Sequence, residues 1–153
     1  MNKKLWVVLM LTWSGAAFAQ AGTACIFSPA ELSATLGHTP EAGAAFIDML
    51  GIQRCRYGMK NARGIYFGVI VRKCDQQRFE IHARMIQSTS GKANIPLNGI
   101  GDGAYFSPGG GSAAARVREQ CIELSGLRAG AKRVVTKADA EKLLTLAVSR
   151  IGK

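Results

Sequence analysis

The chain has 153 residues, 48% hydrophobic and 20% charged, with a net charge of +10. That length suits one domain able to bury a core without metals, which argues against a multidomain architecture. The basic balance favours anionic surfaces such as phospholipid head groups, envelope polymers or nucleic acid, and equally describes a soluble domain whose charge only aids solubility.

Residues 1–19, MNKKLWVVLMLTWSGAAFA, place Lys3 and Lys4 before an apolar run from Leu5 to Trp13 and end in Ala17-Phe18-Ala19. This is the three-part layout of a secretory signal peptide, with Gln20 the expected start of a single exported domain over 20–153. The run is shorter than the roughly 20 residues a membrane-spanning helix needs, and no later segment approaches that length. A lipid on Cys25 is not expected, because Gly22-Thr23-Ala24 lacks the leucine that usually opens such a site. Export to the periplasm or beyond gives the four cysteines an oxidising setting. Cys25, Cys55, Cys74 and Cys121 form an even set with three possible pairings, and none has the Cys-x-x-Cys spacing of zinc or thioredoxin chemistry. Bridges that close loops of a few tens of residues contribute on the order of 3 to 4 kcal/mol each.

In chain order, "FSPAELSATLG" signals a helix. Ser28 caps it, Pro29 fits its first position, Glu31 completes a capping box and Gly37 fits its end. Thr39-Pro40-Glu41 repeats the start signal and predicts a second short helix through "AAFIDMLG" to Gly51, with Gly43 as its weak point. "QRCRYGMK" alternates, setting Arg54, Arg56 and Lys60 on one face and Cys55, Tyr57 and Met59 on the other. "KNARG" reads as a hairpin turn into "GIYFGVIVRKC", which is apolar on both faces and suits a central strand. "CDQQRFEIHARMIQSTSGK" fits both periods; Asp75 as N-cap and Gly91 as stop favour helix. "AYF" and "SAAARVREQCIELSG" read as strands around a flexible "SPGGGS" loop. Last, Thr136 and Asp139 start a helix with the stripe Ala140, Leu143, Leu144, Ala147, Val148 and Ile151. Without strand–helix–strand repetition, this order predicts an α+β fold: an antiparallel sheet with helices packed on one face, stapled by disulfides.

Cys25 before "ELSATLG", then "CRY" at Cys55–Tyr57, then "GIGDGAYF" at Gly99–Phe106, resembles a large family of exported bacterial lipoproteins of unknown function. The same motifs are similar to the extracellular sensor domains of bacterial receptor Ser/Thr kinases. The resemblance spans nearly the whole chain after the leader. It implies a Cys25–Cys55 bridge, which leaves Cys74 for Cys121, and a ligand groove beside the sheet; it brings no catalytic motif. The chain departs from the family in its lipobox and in extra residues around His38 to Leu50, so neither lipid anchoring nor a ligand class is carried over.

The glycines of "NGIGDGAYFSPGGGS" run into a strand and lack the helix and Lys-Ser/Thr pair that phosphate cradles use, so no nucleotide or other cofactor is expected. Gly101 and Gly103 are read instead as turn residues, with Asp102 bonding the local backbone and Tyr105 anchoring the bend in the core. His38 and His82 form no recognisable triad. Glu80, Asp102, Glu119 and Glu123 form no evident carboxylate pair, and no metal cluster is apparent. The basic set Arg54, Arg56, Lys60, Arg63, Arg72 and Lys73, with Tyr66 nearby, is the candidate binding surface. The expectation is a non-enzymatic exported binding domain for a partner protein or an anionic envelope component. The alternative is a periplasmic inhibitor or immunity protein that offers its glycine-rich loop to a toxin or hydrolase.

Overall fold

The computed structural model describes residues 24–37, 40–58, 66–126 and 135–152; the leader, the "KNARG" turn, His38, Lys60 and Arg63 lie outside that set. Ser28 opens α1 (Pro29–Leu36) with its hydroxyl accepting from Glu31 N, while the Glu31 carboxylate accepts from Ser28 N; Gly37 closes the helix at φ 68°. Strands β1 (Ala44–Ile47), β2 (Gln53–Gly58) and β3 (Tyr66–Lys73) follow. Asp75 settles the ambiguous segment by accepting from Arg78 N at 2.8 Å, and α2 runs Gln76–Ser90 until Gly91 turns left-handed at φ 65°. After it come β4 (Ile95–Pro96), β5 (Gly103–Ser107), β6 (Ser112–Val117), β7 (Gln120–Gly126) and α3 (Lys137–Ile151).

All seven strands join one antiparallel sheet in the order β1-β2-β3-β7-β6-β5-β4. The fold is therefore α+β with an antiparallel sheet, and its two disulfides, Cys25–Cys55 and Cys74–Cys121, are the pairs that the family resemblance implies. Strand alternation splits the apolar residues into two cores. Cys55, Tyr57, Phe67, Val69, Val71, Phe106, Ala113, Ala115, Ile122 and Leu124 face α1 and α3, which add Leu32, Leu36, Ala140, Leu143, Leu144 and Ala147. Tyr105, Ala114 and Cys121 point the other way and meet Phe79 of α2. Two helices thus share one face, and α2 covers part of the opposite one.

The predicted second helix is a correction. Ala44–Ile47 pair with Arg56–Gln53 as a strand, and a turn follows. The cause is local: Asp48 Oδ1 accepts from Leu50 N at 2.9 Å and Ile52 N at 3.0 Å, offering the backbone a turn in place of a helix. Gly43 adds to it, since a Cβ there would stand 2.7 Å from Cys55 Sγ and from the Tyr57 ring.

At the buried face Tyr57 acts as a clamp. Its fully buried hydroxyl donates to Phe27 O at 2.9 Å and accepts from Phe27 N at 3.1 Å, beside the Cys25–Cys55 bridge. Its ring and that of Phe27 flank Phe67, with centroids 5.9 and 6.1 Å away. The segment before α1 is pinned to the sheet by one covalent and two hydrogen bonds.

Candidate functional site

The alternation of β2 that buries Cys55 and Tyr57 sends Arg54 and Arg56 to the opposite face, on the half of the sheet that α2 leaves uncovered. Register sets their neighbours: Arg56 lies between Ala44 and Gly68, and Arg54 between Phe46 and Ile70. Beyond Gly68 comes Ser125, and beyond Ile70 comes Glu123. Phe46, Arg54, Arg56, Gly68, Ile70 and Ser125 line an open groove of about 400 Å³. Gly68 keeps its floor low, because a Cβ there would come within 2.6 Å of Ser125 Oγ.

The two arginines are held differently. Arg54 Nε lies 2.6 Å from Asp48 Oδ2, so its charge is matched. Bonds from Ile52 N, Arg54 and Leu50 N hold the Asp48 carboxyl below its ordinary range. The Arg56 guanidinium sits 4.6 Å over the Phe46 ring, and no carboxylate among the described residues pairs with it. A planar cation stacked on an aromatic ring keeps its N–H edge free for a carboxylate or phosphate. Of the other predicted binding residues, Tyr66 opens β3 opposite Gly58, Lys73 is exposed at the far end of that strand, and Lys60 and Arg63 fall outside the described residues. Arg72 shares the face but not the groove, since its Nη2 lies 2.6 Å from Glu123 Oε1.

Where α2 meets the open half, a polar cluster forms that no sequence motif marks. His82 Nδ1 is 2.8 Å from the Tyr105 hydroxyl, and His82 Nε2 is 3.5 Å from Glu123 Oε2. A carboxylate only accepts, so the tautomer that serves both contacts has its proton on Nε2 and accepts from the phenol at Nδ1. Burial pushes the imidazole below its ordinary value, opposed by Glu123 and reinforced by Arg72. Burial, followed by the Glu123 charge, drives the Tyr105 phenol well above its own. The Tyr105 ring stacks obliquely on Phe79 at 5.5 Å. Both imidazole nitrogens face partners, so the cluster ties α2 to the sheet.

The glycine-rich stretch is structural, with two corrections. Gly101 is left-handed at φ 58° with its missing Cβ 2.3 Å from Arg116 O, so only glycine fits there. Gly103 instead begins β5, and the second left-handed residue of the bend is Gly99 at φ 76°. The Asp102 side chain does not bond its own turn; Oδ2 accepts from Arg118 N at 2.6 Å, with Arg116 Nη1 at 3.3 Å. It thereby supports the β6–β7 turn, where Arg118 takes a left-handed φ of 54°. The "SPGGGS" loop is packed, not a free tip: a Cβ on Gly109 would stand 2.4 Å from Ser90 Cβ at the end of α2.

Among the described residues no group of three His, Cys, Asp or Glu is placed to hold a metal ion, and no helix is long and apolar enough to cross a membrane. Compared with known protein families, with curated proteins and with solved structures, the chain finds no match.

Proposed function

We propose that this chain is an exported, non-enzymatic binding domain whose open sheet half takes an anionic envelope ligand. The observation that carries the reading is Arg56: a guanidinium unmatched by any described carboxylate, stacked on Phe46 above a groove floored by Gly68 and Ser125. The chain's net charge of +10, which is +8 once Lys3 and Lys4 leave with the leader, would draw an anion towards it. Two disulfides suit an oxidising compartment outside the cytosol. The resemblance to exported lipoproteins and sensor domains points the same way. An inhibitor that inserts its glycine-rich loop into a target has less support, because that loop rests on Ser90.

Binding of a fluorescently labelled polyglutamate tests the groove. Arg56→Glu should weaken binding by about tenfold or more, since a charge-assisted contact is replaced by repulsion, and added salt should weaken it further. Equal affinity of Arg56→Glu and the parent chain would remove the groove as the binding site.

A further inference from the structure

Among the described residues, the three most exposed large apolar side chains are gathered at one place. In the β1–β2 turn Ile47 is 69% exposed, Leu50 82% and Met49 fully so. These three apolar groups end the β1–β2 hairpin at the edge of the sheet. Scattered exposed leucines need no explanation, but three at one turn are a cluster.

The turn beneath them is closed on itself. Asp48 N donates to Ile52 O at 3.0 Å and Gly51 N to Asp48 O at 2.9 Å. Leu50 N and Ile52 N both donate to Asp48 Oδ1. Arg54 neutralises the same carboxylate, which is only 18% exposed. Four of the turn's backbone donors are therefore satisfied without water, and its one acid is paired. Each donor satisfied in this way lowers the cost of carrying the turn into a low-dielectric medium, where an unsatisfied group costs several kcal/mol.

We propose that this turn is a membrane-insertion tip that seats the domain on an anionic lipid surface, with Ile47, Met49 and Leu50 in the acyl boundary. The proposal rests on the groove reading for its electrostatic half and on the turn for its apolar half. A convex apolar knob fits a deformable bilayer, whereas a protein partner would need a matching cleft. Strand rise puts Arg54 about 7 Å and Arg56 about 13 Å behind Ile52. Interfacial elements bury their apolar side roughly 5–10 Å into the headgroup boundary. At that depth the Arg56 guanidinium, unmatched by any described carboxylate, stands on the headgroup side of the tip, where its charge is complementary to that of anionic lipid phosphates.

Both tryptophans of the sequence, Trp6 and Trp13, precede Gln20, so a Leu50→Trp reporter is unique in the chain that starts there, which keeps the whole sheet and both disulfides. On vesicles of phosphatidylglycerol and phosphatidylcholine its emission should shift to the blue, and the shift should shrink on phosphatidylcholine alone. The triple variant Ile47→Ser/Met49→Ser/Leu50→Ser should lose vesicle binding by about 100-fold, while its melting temperature and polyglutamate binding stay unchanged. Absence of a blue shift, or equal vesicle binding by the triple variant, overturns the proposal. A shift that needs an added protein fraction also overturns it, by assigning the tip to a protein cleft. Loss of polyglutamate binding in Arg56→Glu alone concerns the groove, so the two readings fail separately.

Discussion

The two faces of the sheet are built from the same strands and solve different problems. On the face under α1 and α3 the strands contribute apolar side chains, and the buried hydroxyl of Tyr57 there is bonded at both donor and acceptor. On the opposite face α2 covers Tyr105, Ala114 and Cys121, a band of ion pairs follows at Glu123, and beyond that band Arg54 and Arg56 stand over an open groove. Burial is complete where stability is made and stops where a ligand would need access. The difference teaches that one sheet carries a closed core on one face and a half-open surface on the other, according to where its helices stop.

The largest expected effect separates neighbours on one strand. Phe67 is fully buried between Phe27 and Tyr57, so Phe67→Ala should cost about 3–5 kcal/mol. Ile70, further along the same strand and facing the groove, should cost under about 1 kcal/mol as Ile70→Ser. Denaturant unfolding with the disulfides intact measures both. Similar losses at the two positions would mean that the open half is core after all.

Next in size is the band between the covered and open halves. Glu123→Ala leaves Arg72 without its partner and His82 Nε2–H without an acceptor, which should cost about 1–3 kcal/mol. Tyr105→Phe removes one hydrogen bond and should cost about 1 kcal/mol. If Glu123→Ala proves neutral, the Glu123 contacts add nothing and α2 is held by Phe79, the Tyr105–His82 contact and the neighbouring Cys74–Cys121 bridge.

Much of this arrangement is legible in the amino-acid sequence, and the parts that are not share a cause. The capping residues Ser28, Glu31, Asp75 and Thr136 announce their helices because a cap is a contact over three residues, within reach of local sequence. The two-residue period of β2 puts Arg54 and Arg56 together for the same reason. The helix expected after the Thr39-Pro40-Glu41 start signal, through "AAFIDMLG" to Gly51, fails because Asp48 accepts from Leu50 N and Ile52 N, a local choice that the stop and start signals hide. Phe46, Gly68, Ser125 and Glu123 enter the site only through strand register, and β3 pairs with β7 across the intervening α2 and three strands. Nothing in the local pattern of "CIELSG" says that Glu123 meets Arg72 and His82, or that Asp102 supports the turn at Arg118.

The smallest effect distinguishes the two faces by pH. Under the closed face, Glu31 joins its own capping box to a guanidinium fork from Arg150, tying α1 to α3, and the Arg150 bond chiefly holds its carboxyl at about 2 against an ordinary 4.5. A depressed carboxylate contributes stability that is complete above 4.5 and is lost as pH falls towards 2. On the other face, burial lowers His82 below 6.5. The unfolded chain then takes up that proton first, and stability falls as pH drops below 6.5. Melting temperature followed from pH 8 down to about 2.5 should therefore decline in two stages. His82→Gln should flatten the first stage and leave the second. Arg150→Ala should flatten the second, by under about 1 kcal/mol because the pair is partly exposed, with Ser28 still holding part of the shift. An Arg150→Ala profile that overlays the parent below pH 4.5 would show that the latch between the helices adds nothing, and that the closed face is held by its apolar core, the Cys25–Cys55 bridge and the Tyr57 clamp.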